Sequence, residues 1–333
     1  MASDNITADD VAQAAGVSRW TVNRAFKAAA SISPETRRRV IEAADALGYV
    51  PDLRAAALAS DRSRLIALLI DDFANPHKLV MLERLTDTLQ RHGWDTLLVN
   101  TLGKIDAGDA MRKARQRRVD ATVLIGIQFS DEMLAAAGSA RLLRKLIIFA
   151  RNSQNPDTIS IAVDDRAATH DIAGYIVKRG YHRPMFLAGP RTISAHLSRK
   201  ETFVRFWQNS TGHAPETADV DGYDPALATE LLAGLLAGRP RAALPDVIAC
   251  ENDALALGAV DCIRHRLGLR VPDDIAVTGL DDIPQAAGVG YRLTTYRQPI
   301  RDMAEYLVEV LESRETTQLS RTFTGRLVVR ESA

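Results

Sequence analysis

The sequence predicts a small all-α domain followed by a larger α/β domain built as two doubly wound parallel-sheet lobes. Three observations carry this. Residues 1–60 show short helical patterns and no strand-like run. From Leu65 onward, apolar runs of strand length alternate with helical patterns, as parallel sheets with helices on both faces require. The number of these units exceeds what one sheet comfortably holds, so two similar lobes are expected. No internal repeat and no low-complexity segment interrupts the pattern.

The 333 residues are 46% hydrophobic and 25% charged, which fits a soluble globular chain and excludes disordered and fibrous classes. The formal net charge is +0, so attraction to nucleic acid has to come from local sequence. Cys250 and Cys262 lie in apolar stretches without partners at metal spacing, which predicts buried inert thiols in a reducing compartment. Met1 to Thr7 carries no export signal, and no apolar stretch approaches the ~20 residues of a membrane span. A cytoplasmic protein with no membrane partner is expected.

The first helix is expected over Ala8–Ala15, with Thr7 as N-cap, Asp10 at the third helical position and Gly16 free to take positive φ. A second follows Ser18 and carries Thr21, Val22 and Ala25. The third opens at Ser33-Pro34-Glu35, presents Val40, Ile41, Ala44 and Leu47 inward, and stops at Gly48. Pro51 then blocks continuation. Strand-like runs are Leu65–Ile70, Thr96–Val99, Ala121–Ile125, Leu146–Phe149, Ser160–Val163, Pro184–Ala188, Val247–Cys250, Ile275–Thr278 and Thr322–Val329. Intervening helices are marked by Leu79, Leu82, Leu85 and Leu89, and by Leu227, Leu231, Leu232 and Leu235. The last helix, Ile300–Ser313, has Met303, Leu307 and Leu311 on one face.

The most specific signal is Asp10-Val11-Ala12-Gln13-Ala14-Ala15-Gly16-Val17-Ser18 followed by Arg19-Trp20-Thr21-Val22-Asn23-Arg24. A helix-turn-helix needs small residues where its helices cross, a glycine-bearing turn and polar side chains on the outer face of the second helix. Ala12, Gly16, Val17 and Val22 meet the packing demand, and Arg19, Trp20, Asn23 and Arg24 would face outward. An ordinary helical bundle with a solvated arginine face is the plainer alternative.

These residues, with SPETRRRVIEAADALGYVPD, LAGP, ENDALALGA, VTGLDD and LTTYRQP further on, resemble the LacI/GalR repressors in collinear order over nearly the whole chain. The resemblance implies a small all-α helix-turn-helix headpiece plus an α/β periplasmic-binding-protein-like domain. The headpiece would span 1–50, a hinge helix 51–62, and the effector-binding and dimerisation domain 63–333. Its first lobe would take 63–163 and 293–333, its second 164–292.

Arg19 and Arg24 can each give bidentate hydrogen bonds to guanine, and Trp20 can meet a thymine methyl or a sugar. Asn23 completes the outer face. Ser18, Thr21, Thr7 and the Arg37-Arg38-Arg39 cluster would position the DNA backbone, unless the triplet is simply a solvated helix end. Acids balance bases within the headpiece, so binding to non-specific DNA should be weak and a homodimer on a pseudo-palindromic double-stranded operator should supply affinity. Within the hinge, the stretch Pro51 to Ser60 is below the ~12 residues a helix needs alone in water. By resemblance, Leu58 would wedge into the minor groove. Asn23, Lys27 and Trp20 depart from the usual family residues, so the operator is not a copied one.

In the larger domain a ligand would lie between the lobes, at the carboxyl ends of strands. Candidates are Asp72 and Phe73 after the first strand, Arg199 by resemblance, Tyr223, Asn252 and Asp281. Such acceptors and a rigid donor fork suit a hydroxyl-rich metabolite, a sugar or sugar derivative. His77 and Lys78 stand where relatives often carry aromatics. Lys78 admits an anionic sugar, or else simply starts a helix facing solvent. A non-DNA-binding sugar receptor is the alternative function. No phosphate-binding loop, nucleophile elbow or metal-spaced His/Cys set argues for an enzyme, a cofactor or a metal.

Overall fold

The computed structural model describes residues 6–27, 30–51, 62–101, 107–127, 129, 134, 145–190, 198–313, 315 and 319–333. Leu58 and the rest of 52–61 lie outside the described residues. The chain divides into two compact units, Met1–Ser63 and Arg64–Ala333.

The first unit contains α1 (Ala8–Ala15), α2 (Arg19–Ala25) and α3 (Pro34–Leu47). Helix α1 starts at a capping box: the Asp10 amide donates to the Thr7 hydroxyl, and the Thr7 amide donates to Asp10 Oδ2 at 2.8 Å. It ends at Gly16, whose φ of 62° lets its amide turn back to the last carbonyls. Val11, Ala12, Ala15, Val22, Ala25, Val40 and Ala44 form the core with Ala8. Alanines and valines let three short helices approach closely. Leu47, expected inward, is exposed, because the core closes at Ala44 and the tilted Phe26–Tyr49 ring pair lies beyond it.

The second unit is built on two parallel sheets. The first contains β1 (Leu65–Ile70), β2 (Asp95–Asn100), β3 (Ala121–Ile125), β4 (Leu146–Phe149), β5 (Ile159–Val163) and β11 (Arg321–Phe323), in the order β11-β5-β4-β3-β1-β2. The second contains β6 (Pro184–Ala188), β7 (Glu216–Asp219), β8 (Val247–Cys250) and β9 (Ala276–Thr278), in the order β7-β6-β8-β9. Helices α4 (His77–Arg91), α5 (Ala107–Gln116) and α10 (Ile300–Glu312) belong to the first lobe. Helices α6 (Asp165–Lys178), α7 (Arg199–Thr211), α8 (Pro225–Leu236) and α9 (Asp253–Asp261) belong to the second.

Both faces of each sheet are covered, which is why the strands read as unbroken apolar runs rather than alternating ones. On β1, Ile66, Leu68 and Ile70 enter one core while Ala67 and Leu69 enter another. On β6, Met185 and Leu187 point one way and Phe186 and Ala188 the other. Cys250 and Cys262 are buried in the second lobe, and burial raises both thiols, Cys262 to about 11.

Several details differ from expectation. The stretch Thr322–Val329 divides: β11 extends the first sheet, whereas β12 (Arg326–Val328) pairs antiparallel with β10 (Thr295–Arg297). The chain end then lies on the second lobe, where the Val277 amide donates to the Ser332 carbonyl and Ala333 joins the core. The segment 293–333 is therefore shared between lobes. Helix α4 turns His77, Lys78, Met81 and Leu85 inward and leaves Leu79 58% exposed. On α8 the buried residues are Ala228, Leu232 and Leu236, with Leu227 and Leu235 outward. No helix among the described residues is long and apolar enough to cross a membrane.

Candidate functional site

Two sets of side chains stand out, one in each unit. In the first, α2 begins at Arg19 because the Ser18 hydroxyl accepts from the Thr21 amide at 3.2 Å. The helix buries only Val22 and Ala25. Arg19 and Asn23 are exposed, Trp20 is 66% exposed, and Arg24 and Thr21 are half-buried. The Arg24 guanidinium lies over the Trp20 ring, 4.4 Å from its centroid, and Nη2 donates to the Ser31 carbonyl at 2.6 Å. Arg19 meets Asp9 at 3.1 Å on the surface.

The face thus offers guanidinium forks, an amide and a large ring, which can read base edges in a major groove. The hydroxyls of Thr7, Ser18 and Thr21 are engaged in caps, with Ser18 and Thr21 bonded at 3.0 Å. The arginine triplet divides. Arg37 donates to the carbonyls of Ala25, Lys27 and Ala30, so it holds the turn before α3 rather than waiting for phosphate. Arg38 faces Glu42 at 3.8 Å, and Arg39 is exposed.

The second set lies between the lobes of the larger unit. Strand order reverses between β1 and β3 in the first sheet and between β6 and β8 in the second. At such reversals the following loops part and leave a crevice at the carboxyl ends. Residues beyond β1, β3, β4 and β8 line one cavity here, among them Asn75, His77, Lys78, Gly126, Arg151 and Asn252. Arg199, Tyr223, Asp281 and Gln298 complete it. Room for water at its centre is about 50 Å³, and the whole space counted out to its opening is about 480 Å³.

Backbone geometry prepares this cavity. A Cβ on Gly126 would come within 1.9 Å of Asp71 Oδ1, so only glycine lets that carboxylate fit beneath the loop. There Asp71 accepts from the Ile127 amide at 2.5 Å and faces Lys78 Nζ at 3.5 Å. A Cβ on Gly189 would strike the Tyr223 ring at 2.0 Å. Asp281 has φ 132°, a conformation that costs a non-glycine residue about 1–3 kcal/mol and is typical of functional positions.

Arg199, the first residue of α7, donates Nε to Asp165 Oδ1 at 2.6 Å and Nη1 to the Glu251 carbonyl at 3.0 Å. Burial opposes its charge, but Asp165, Asp281 and Glu251 together push its proton affinity above the usual arginine value. Burial raises Asp165 and Glu251, with Arg199 offsetting part of the rise. Asp281 accepts from Gln298 Nε2 at 2.5 Å; burial raises it too, against the pull of Arg199. Its neighbour Asp253 is raised by burial and by Asp281. His77 Nε2 stands 3.8 Å from Asp281 Oδ1, and burial, with Lys78 and Arg199 alongside, lowers its imidazole to about 3.

Of the residues singled out from sequence, Arg199, Tyr223, Asn252 and Asp281 come together around this cavity. Asn252 is at the same time the N-cap of α9, accepting from the Leu255 amide at 3.0 Å. Asp72 and Phe73 do not line the cavity. Asp72 accepts from the Ala74 and Asn75 amides and shapes a turn, while Phe73 packs on the first-lobe core. Lys78 is buried against Asp71 rather than turned to solvent. Sequence reasoning did not single out Arg151 or Gln298. Gln298 lies within LTTYRQP, which carries the resemblance without marking a ligand contact.

Residues 7–52 match the family model of bacterial regulatory proteins, lacI family, and residues 173–333 match the periplasmic binding protein-like domain. The sucrose operon repressor of Escherichia coli is 29% identical over 327 residues, covering 94% of this chain and 95% of that protein. The transcriptional regulator MalR of Streptomyces coelicolor is 30% identical over 315 residues, covering 91% and 88%. Among solved structures, the Lac repressor bound to ONPG superimposes with a TM-score of 0.81 at 22% identity, covering 99% of this chain and 100% of that one. The regulator CelR in complex with cellobiose gives 0.70 at 24% identity, covering 98% and 100%.

Proposed function

This chain belongs to the LacI family of bacterial regulatory proteins, and on that premise we propose that it is a sequence-specific DNA-binding transcriptional repressor controlled by a small metabolite. It acts as a homodimer on a pseudo-palindromic operator, because one short recognition helix spans too few base pairs for specificity. The metabolite is a sugar or sugar derivative held between the lobes by Arg199, Asp281 and Asn252. The observation that carries the reading is the presence, in one chain, of an outward-facing Arg19, Trp20 and Asn23 on α2 and of a polar cavity where both sheets reverse order.

A relative named for the sucrose operon and a fold neighbour in complex with cellobiose support the sugar. A Lac repressor dimer bound to operator has the same fold and supports the assembly. A sugar receptor that never meets DNA has no use for α1–α3. We read the chain as a regulator rather than an enzyme, working in the cytoplasm at the nucleoid.

Selection of duplexes from a random pool by the purified chain, followed by footprinting, tests this. Protection of two symmetric half-sites is the expected result. Protection of a single half-site by a monomer contradicts the dimer, failure to enrich any sequence contradicts the regulator, and turnover of an added sugar contradicts the non-enzymatic reading.

A further inference from the structure

The cavity between the lobes contains polar atoms that the fold itself satisfies only loosely. Both ring nitrogens of His77, the hydroxyl of Tyr223 and Oε1 of Gln298 are buried without a hydrogen bond of ordinary geometry, and only the looser approaches of Gln298 to His77 and of Tyr223 to Glu251 meet them. The three residues are 2%, 7% and 7% exposed and line the same space. Unmet polar groups are costly in a dry interior and call for an explanation one by one. Three of them around one cavity point to recognition rather than packing.

Of the three cationic side chains on the cavity lining, Lys78 and Arg199 are paired with carboxylates. Lys78 faces Asp71 at 3.5 Å. Arg199 is held by Asp165 and the Glu251 carbonyl. Arg151 Nη2 donates to the Phe129 carbonyl at 3.3 Å. Asp281 faces the cavity, and Asp71, Asp165 and Glu251 stand behind its walls. An incoming anion would meet these carboxylates with Lys78 and Arg199 already taken.

The open valences are also of mixed sign. A neutral His77 presents one N–H and one lone pair, the Tyr223 hydroxyl both donates and accepts, and Gln298 Oε1 only accepts. A ligand hydroxyl can both donate and accept. Carboxylate and phosphate oxygens only accept, so an anionic group in the place of a hydroxyl here would leave Gln298 Oε1 and the His77 lone pair unmet.

We propose that the effector is an uncharged polyol, a neutral sugar rather than a sugar acid or sugar phosphate, and that His77 selects it by bonding a ligand hydroxyl held between its ring, Gln298 and Asp281. This rests on the reading of the cavity as a sugar site. It sets aside the anionic ligand that Lys78 suggests in the sequence, since Asp71 already answers that charge.

Titration calorimetry on the full chain tests it. The probes are glucose, galactose, sucrose, maltose and cellobiose, set against gluconate, glucuronate and glucose 6-phosphate. At least one neutral sugar should bind, with charged counterparts tenfold or more weaker. His77→Phe should weaken that sugar by about tenfold or more, whereas His77→Gln, which keeps a donor and an acceptor, should retain most of the affinity. Deoxy analogues of the bound sugar should identify one hydroxyl whose loss matters in the wild type and not in His77→Phe. Should His77→Phe fail to fold, His77→Gln and the wild-type charge series still decide.

An acid or phosphate that binds more tightly than its neutral parent overturns the inference and leaves the sugar site standing. So does a His77→Phe chain that binds the neutral sugar as tightly as the wild type. If no probe binds, or only a nucleobase does, the sugar site itself falls and the inference with it.

Discussion

On α2, Trp20 is 66% exposed and Arg19 and Asn23 project from a helix anchored by Val22 and Ala25 alone. Between the lobes, Arg199 and Asp281 are nearly inaccessible and tied to a carboxylate, a carbonyl and the Gln298 amide, with His77 buried beside them. A surface that reads a polymer needs donors free at its outer face, and water keeps them solvated until the polymer arrives. A small-molecule site excludes water, so each of its charges has to be compensated by the fold before a ligand comes. Substitutions on α2 should therefore remove contacts with DNA and, besides them, only the surface contacts of Arg19 with Asp9 and of Arg24 with Trp20 and Ser31. Substitutions between the lobes should remove structural support as well.

The largest effect is expected from Asp165→Ala, which strands the buried Arg199 guanidinium. Breaking a buried pair from one side costs about 3–5 kcal/mol, to be read from urea unfolding of the full chain. A loss below about 1 kcal/mol would mean that the pair behaves like a surface one and that the contrast fails. Arg24→Ala should cost on the order of 1–3 kcal/mol of discrimination at one base pair and leave effector binding unchanged. Equal weakening on every sequence would instead make Arg24 a phosphate contact.

His77 supplies a pH signature unique to the cavity. Burial, with Lys78 and Arg199 beside it, lowers its imidazole to about 3 from the ordinary 6.5. The unfolded chain therefore takes the proton first. Stability present above pH 6.5 is lost as pH falls towards 3, about 2 kcal/mol of it by pH 5. The carboxylates of Asp165, Glu251 and Asp281 shift upward and so gain stability on acidification, in the wild type and in a His77→Gln variant alike. The difference between the two chains should grow as pH drops from 7 to 5, and parallel stability curves would contradict the buried neutral ring. The smallest effect is Ser18→Ala, which removes the cap of α2 at a cost of about 1 kcal/mol. It should lower the headpiece melting temperature and spare effector affinity.

The same contrast explains what could be read from sequence. The helices of the headpiece are fixed by partners a few residues away, such as Thr7 with Asp10, Ser18 with Thr21 and Ser33 with Thr36. Their boundaries are therefore legible. The apolar runs of β1, β3, β4 and β6 are equally plain, because burial on both faces leaves no alternation to confuse. The cavity is different. It joins His77, Arg199 and Gln298 from three distant parts of the chain.

Where β1 ends, two aspartates follow in succession, and nothing local says which one turns inward. Asp71 does, and Asp72 shapes the turn. The four leucines of α4 suggest one buried face, yet the helix is rotated so that His77 and Lys78 are covered and Leu79 is not. The β strand Glu216–Asp219 carries an edge pattern too polar to register as a strand.

The central claim is that α2 and the cavity are two sites of one switch. Fluorescence anisotropy of a labelled operator, bound by the full chain and titrated with the sugar that binds it in calorimetry, tests this most directly. Two-site linkage predicts that the sugar shifts operator affinity by roughly 5–150-fold, and that operator shifts sugar affinity by the same factor. A sugar that saturates the cavity while operator affinity stays constant would contradict the account.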